Sequence, residues 1–507
     1  MPTLTWLGKE EAVHAARKVP FRLLEHDPTL SYGDPDTSNM LIQGDNLEAL
    51  KALLPFYAGQ VKCIYIDPPY NTGSAFEHYD DNLEHSMWLS LMYPRLELLR
   101  ELLSEDGLIL VSIDDYEQTY LRAICDEIIG RKNWVETFIW QKSYGGGAKS
   151  KFTVGLHEYI MCYAKNIENL HPLFLPPDEG VLKYYKLKDD KFKERGPHRL
   201  QPLATTSMDE RVNLRYPITA PDGSIVWPAK QWQWSQERVI KAIENDEIVF
   251  TKSKNGYTLN YKQYLKDENG EVRKTKPKSI IQGHYTQHGT YESMDLFSLK
   301  DKFSFPKPEG LIQTVIEIAS NPGDLVLDSF LGSGTTAAVA HKMGRRYIGI
   351  ELGDHAVTHC APRLRKVIDG EQGGISKAVG WTGGGGFRFY HLGETVFDET
   401  GRIHKGVRFP ALAAHIWFTE TGSPLGLRTG SPFLGEHHGK GYYLLYNGIL
   451  GDKSVSGGNV LTRALLAQLP PCEGLKIIYG ERSTLSAVRL KELGVIFRQI
   501  PYDVKAR

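Results

Sequence analysis

The sequence predicts an α/β fold: a doubly wound parallel sheet with a strand-rich insert and a smaller α/β part after it. Three observations carry this. Short, continuously apolar runs alternate with helical periodicities over residues 41–166 and again over 301–370. A glycine loop follows one such run and opens a helix, and an acid ends the next run. Between the two stretches the helical periodicity fades and turn signals take over. Continuous apolar strands separated by amphipathic helices belong to sheets covered on both faces.

Taken in order, Met40–Gln43 reads as a short strand and 46–54 as a helix. Val61–Ile66 is an apolar run of strand length that ends in Asp67-Pro68-Pro69-Tyr70. Residues 88–103 are helical, with apolar side chains at 89, 92, 96, 99 and 103, spaced by three or four. A strand over 107–113 and a helix over 116–129 follow. In the insert the turn signals are Pro221-Asp222-Gly223, Asn255-Gly256 and the run 267–270. The α/β pattern resumes with a helix over 311–319 and the strand Leu325–Asp328. Then come the loop 328–336, a helix to Met343 and the strand Arg346–Glu351. Beyond it, strands are expected over 442–446 and 475–479, with a helix over 460–469. The expected organisation is therefore 1–166, first half of the core; 167–300, the insert; 301–374, second half of the core; and 375–507, a C-terminal domain. The run Gly383-Gly384-Gly385-Gly386 reads as a flexible linker near the last boundary.

Composition narrows the class. With 507 residues, 41% hydrophobic and 24% charged, the chain has the make-up of a globular protein of several domains. No apolar run approaches the roughly 18 residues of a membrane span, and residues 1–18 lack a signal-peptide core. The five cysteines are scattered and unpaired in spacing, so neither a disulfide framework nor a zinc site is expected, and a cytoplasmic setting fits. Net charge is −1, but residues 181–300 hold 21 Lys plus Arg against 15 Asp plus Glu. That local excess is either a basic binding face or a solvated surface.

Two motifs carry chemistry. The loop Asp328-Ser329-Phe330-Leu331-Gly332-Ser333-Gly334-Thr335-Thr336 allows close backbone approach to a ligand and points helix N–H groups at it. It is not a P-loop, for it has no lysine in that place, and Ala337 stands where the dinucleotide fingerprint has its third glycine. Glu351, ending the next strand, is placed to bind ribose hydroxyls. Loop and acid together imply a ligand with a ribose and an anionic or zwitterionic part. The second motif is Asp67-Pro68-Pro69-Tyr70. Its prolines remove two N–H donors and stiffen the backbone, which leaves carbonyl acceptors, a carboxylate and an aromatic face. This set suits a flat group bearing an NH₂: Asp67 and the Pro68 carbonyl accept its hydrogens while Tyr70 stacks on the ring.

Together these residues resemble the amino-methyltransferases that act on adenine N6 or cytosine N4 of DNA. The catalytic motif precedes the glycine loop, which resembles the circularly permuted, beta-class order on a Rossmann-like methyltransferase sheet. Asp-Pro-Pro-Tyr-Asn-Thr-Gly at 67–73, Val-Ser-Ile-Asp-Asp at 111–115 and His-Glu-Tyr-Ile at 157–160 look like the modification subunits of type III restriction systems. The resemblance covers about residues 40–370. It implies S-adenosylmethionine as cofactor and no metal. It implies catalysis by Asp67, Pro68, Pro69 and Tyr70. The cofactor pocket it implies is formed by Phe330, Gly332, Ser333, Gly334 and Thr335, with Asp328 near the methionine part and Glu351 on the ribose; Asp67 also borders it. Lys307 is implied beside the methionine carboxylate, though it reads equally as a surface charge. Asp45 is implied beside the adenine, though it reads equally as a helix cap.

The implied mechanism starts from a conjugated, weakly nucleophilic amine. Hydrogen bonds to Asp67 and the Pro68 carbonyl draw the nitrogen towards sp³, and in-line displacement transfers the methyl group. The base has to leave the stack, with Tyr70 replacing lost stacking. The insert is assigned to target recognition. Asn71, Lys183, Lys186, Lys188, Lys193, Arg195, Lys274 and Lys276 are expected to touch double-stranded DNA, whereas Trp232 and Trp234 read as packing residues. The resemblance further implies a homodimer and a separate restriction subunit with helicase and nuclease domains. Alternatives are cytosine N4 as target, methylation of RNA or of a protein amide, and a catalytically silent specificity subunit.

Overall fold

A computed structural model describes residues 3–71, 84–145, 152–254, 256–301, 303–425, 430–446, 459–501 and 504. Thr72, Gly73 and Asn255 of the motifs above lie outside the described residues. The chain forms two compact units, one of Met1–Pro172 with Lys278–Arg507, the other Leu173–Pro277.

The larger unit is built on a ten-stranded sheet. In chain order its strands are β1 (Arg22–Gly33), β2 (Met40–Gln43), β3 (Val61–Ile66), β4 (Leu103–Ile113), β5 (Trp134–Gln141), β6 (His157–Ala164), β7 (Ile280–Ile281), β8 (Leu325–Asp328), β9 (Arg346–Glu351) and β10 (Gly386–Thr395). Their spatial order is β1-β10-β2-β9-β8-β3-β4-β6-β5-β7. From β10 to β4 every neighbouring pair is parallel, while β1 and β6 run antiparallel to their neighbours. The reason lies in the side chains: β3 and β8 are buried almost throughout, so both faces must be covered, and parallel crossovers do that with helices. Strand β3 pairs with β8 through Cys63–Val326 and Ile64–Leu327. The chain leaves β3 towards β4 on one side and leaves β8 towards β9 on the other. This is a topological switch point, where open α/β sheets hold ligands beyond the carboxyl ends of their strands.

The C-terminal segment corrects the expected boundary. The glycine run does not separate two bodies: β10 begins at Gly386 and inserts between β1 and β2. A Cβ at Gly386 would lie 2.4 Å from the Asp34 nitrogen, so the run serves close backbone approach. Further on, a four-stranded sheet (Phe433–His437, Lys440–Leu444, Leu475–Gly480, Val495–Gln499) uses the two-residue period of strands. Tyr442, Leu444, Ile477 and Tyr479 join the main core, and Tyr443, Leu445 and Ile478 form a smaller cluster on the opposite face. The expected helix over 460–469 is a short strand, Val460–Leu461, and then a helix, Arg463–Gln468. Among the described residues no helix is long and apolar enough to cross a membrane.

The smaller unit carries a three-stranded antiparallel sheet (His198–Pro202, Ile248–Ser253, Gly256–Tyr264), small hairpins and the helix Gln236–Glu244. Trp232 lies in its core and donates its ring N–H to the Tyr216 carbonyl at 2.8 Å. Trp234 packs at its edge, with the Arg238 guanidinium 4.1 Å from its ring.

Candidate active site

The carboxyl ends of β3 and β8 bring the two motifs side by side. After β3 the chain turns through Asp67-Pro68-Pro69-Tyr70, anchored by Trp88, whose indole N–H donates to the Pro69 carbonyl at 2.7 Å. Asp67 accepts Lys307 Nζ on both oxygens, at 2.7 and 2.6 Å. The Tyr70 hydroxyl lies 2.9 Å from Asp67 Oδ1 and 3.0 Å from Glu158 Oε2, so one phenolic proton serves two carboxylates. Burial, and then the charges of Asp67 and Glu158, push the Tyr70 phenol well above its ordinary range, so it stays protonated. Lys307 is no surface charge. Burial works against its ammonium, but Asp67 and Glu158 outweigh that and raise its pKa.

After β8 the loop is held from within by carboxylates. Phe330 N–H donates to Asp328 at 2.9 Å and Gly332 N–H to Glu351 at 2.7 Å. Asp328 is pushed up to about 7, chiefly by burial, with Asp67 and Glu351 adding to it and the Thr336 hydroxyl and Phe330 N–H opposing. Gly334 has φ of 81°, and a Cβ there would lie 3.2 Å from the Cys360 Cα, so this position needs glycine. Ser333 and Thr335 are buried; their hydroxyls meet at 2.9 Å, and Arg363 donates to Thr335 at 2.8 Å. Behind them Arg363 and Lys342 both pair with the buried Glu309, at 2.8 and 2.7 Å.

Asp45 caps the helix Asn46–Tyr57 through Leu47 and Glu48 N–H and also pairs with Arg95 at 3.1 Å. Asn46 of the same turn donates to the Ser329 carbonyl at 2.8 Å, which ties the turn to the glycine loop. In the smaller unit Lys183, Lys186, Lys188, Lys193, Lys274 and Lys276 are exposed. Two expected DNA contacts have partners within the fold. Arg195 is engaged with Glu247 at 3.4 Å and lies over the Tyr264 ring. Asn71 is buried at φ 62°, its amide donating to the fully buried Glu117 at 2.7 Å.

Sequence reasoning gave no role to Glu158, Lys142, Arg363, Glu309 or Lys342. Lys142 Nζ donates to Glu158 at 3.0 Å, which makes a group of two acids and two ammoniums around Tyr70. The signal for Glu158 was an acid in an apolar strand, His157-Glu158-Tyr159-Ile160, where only a paired charge is tolerated.

The arrangement offers a charged acceptor group beside a glycine loop at a switch point. The DNA methylase family pattern (N6_N4_Mtase) matches residues 61–361. The type III restriction-modification enzyme EcoPI Mod subunit of Escherichia phage P1 is 33% identical over 67% of this chain and 61% of its own length. The StyLTI Mod subunit of Salmonella typhimurium is 32% identical over 60% of this chain and 49% of its own. The chain thus spans about half to three fifths of the length of the type III relatives it matches. Among solved structures, PvuII DNA methyltransferase (cytosine-N4-specific) superposes with a TM-score of 0.36 at 15% identity, covering 68% of this chain and 91% of that one.

Proposed function

The chain belongs to the DNA methylase family, and on that premise we propose that it transfers a methyl group from S-adenosylmethionine to adenine N6 in DNA, as the modification subunit of a type III restriction system. The observation that carries the reading is the pairing of β3 with β8. It sets the acceptor motif Asp67–Tyr70 and the glycine loop at neighbouring strand ends. Support for the system comes from the Mod names of the relatives, and support for adenine from aspartate as first residue of Asp67-Pro68-Pro69-Tyr70. A partner restriction subunit, a homodimer and a cytoplasmic setting belong to the same proposal. So does target recognition by residues 173–277 through exposed lysines such as Lys183, Lys186 and Lys276.

The residues fit the cofactor. Buried carboxylates Asp328 and Glu351 end neighbouring strands beside the glycine loop, which suits a ribose and a cationic group. S-adenosylmethionine, when bound, supplies a methyl group activated by its sulfonium. Glu351 holds ribose hydroxyls, Asp328 faces the cationic methionine part, and Phe330 and Gly332 wall the pocket. Asp45 borders the adenine. Ser333 and Thr335 act behind the loop, keeping its turn in shape. Asp67 and the Pro68 carbonyl take the two amine hydrogens, and Tyr70 stacks on the flipped base.

The test is incubation of the protein with S-adenosylmethionine and unmethylated DNA, followed by nucleoside mass spectrometry. N6-methyladenine is expected. N4-methylcytosine would move the substrate and keep the mechanism, and absence of any methylated base would overturn the reading.

A pH prediction follows from Asp328. A carboxyl that titrates near 7 is largely protonated at pH 6, and a cationic ligand favours its ionised form. Cofactor affinity is therefore expected to rise between pH 6 and 8, by at most about tenfold per unit. Calorimetry at pH 6.5 in buffers of different ionisation enthalpy should show proton release on binding, lost in Asp328→Asn. Affinity flat across this range would count against the assignment.

A further inference from the structure

Two acids and two ammoniums lie around Tyr70, with Asp328 acting on Lys307 and Asp114 on Glu158 from further off. Asp67 and Glu158 are the acids; Lys307 and Lys142 are the ammoniums. Glu158 lies on β6, opposite Trp140 of β5, and is 7% exposed. It accepts Lys142 at 3.0 Å and Tyr70 at 3.0 Å and stands 3.9 Å from Lys307 Nζ. Lys307 occupies both oxygens of Asp67, the carboxylate the proposed function uses to hold the target amine. The Lys307 charge thus cancels that of Asp67 at the place where methyl transfer builds positive charge on a nitrogen.

We propose that Glu158 is a positioning residue for methyl transfer: it fixes Lys307 and Tyr70 against Asp67 and offsets the ammonium charge beside the reacting nitrogen. This rests on the amino-methyltransferase reading. In the reaction the amine lone pair forms the N–C bond, the S–C bond gives its pair to sulfur and S-adenosylhomocysteine leaves, and the nitrogen then loses a proton to Asp67 and on to water. Until that proton leaves, the nitrogen is cationic, and loss of the Glu158 charge leaves the Lys307 ammonium less offset beside it. Electrostatics inside a protein act more strongly than in water because dielectric screening is weak. Glu158 need not touch the base; it acts through Lys307 and Tyr70.

The experiment compares wild type, Glu158→Gln and the double variant Glu158→Gln with Lys142→Met. Glutamine keeps the size and one acceptor but removes the charge. The double variant removes one acid and one ammonium and restores the balance. In Glu158→Gln, kcat is expected to fall about 10–100-fold, by analogy with the loss of hydrogen-bonding partners behind metal ligands. The DNA KM should stay within about threefold, and the denaturation midpoint within a few degrees. The double variant should recover much of kcat.

A second readout needs no turnover. S-adenosylmethionine and S-adenosylhomocysteine differ by one positive charge. Calorimetry should show their affinity ratio falling in Glu158→Gln and returning in the double variant. An unchanged kcat and ratio in Glu158→Gln would overturn the proposal, as would a double variant no better than the single one. A wild type that binds both ligands and methylates no DNA would instead refute the substrate reading, leaving the affinity ratio to judge Glu158.

Discussion

Asp67→Ala is expected to cut DNA methylation by at least about 10³-fold, near the upper end of what loss of one preorganised catalytic group produces. The argument is geometric. Asp67 is one of two acceptors available to the amine, and the neighbouring carboxylate, Glu158, is already engaged by Lys142 and Tyr70. Removal also leaves Lys307 with Glu158, 3.9 Å away, as its acid, so its ammonium then faces the amine as a competing charge. The loss should appear in kcat, because hydrogen bonds that redirect the nitrogen lone pair matter most in the transition state. Asp67→Asn keeps one carbonyl acceptor of the same shape and should retain more activity than alanine. Both are read by single-turnover kinetics and nucleoside mass spectrometry, with cofactor affinity checked by calorimetry. Methylation by Asp67→Ala within tenfold of wild type would show that the amine is held elsewhere.

What was legible in the sequence follows burial. Strands β3, β8 and β9 are buried on both faces, so their apolar runs stand out, and their ends carry the motifs. Strands β1 and β10 were missed because they are only partly buried and mix polar with apolar residues. A glycine run has the same composition whether it swings freely or packs against backbone; only the neighbour at Asp34 decides between them. At the site, Asp67 and the glycine loop were readable because their chemistry is local in sequence. Lys307 was ambiguous because its partner lies 240 residues away. The partners of Arg195 and Asn71 were hidden for a related reason, since a donor looks free until the fold supplies Glu247 or Glu117. Asp45 does cap its helix, and the structure adds the pair with Arg95.

The other large effect is expected in stability, from Glu309→Ala. Glu309 is 1% exposed and accepts Arg363 on one oxygen and Lys342 on the other. Breaking a buried pair by removing one partner typically costs about 3–5 kcal/mol, since the other charge stays buried and uncompensated. Lys342 keeps Glu371 as a partner, so the burden falls on Arg363. Relief is available from Glu292, which accepts the Glu309 backbone N–H and is pushed up to about 7 by burial and then by the Glu309 charge. With Glu309 gone, Glu292 should ionise more readily, and the defect should shrink as pH rises from 6 to 8. Denaturant titrations at both pH values check this, and equal losses at the two would exclude the compensation. The consequence reaches function because Arg363 also holds Thr335 behind the glycine loop. Adding Arg363→Met to Glu309→Met removes the stranded charge and should return much of the stability, as apolar replacement of buried ion pairs often does. It should not return cofactor affinity, because the bond to Thr335 is then missing. Recovery of both together would mean that the ion pair steadies the fold without shaping the loop.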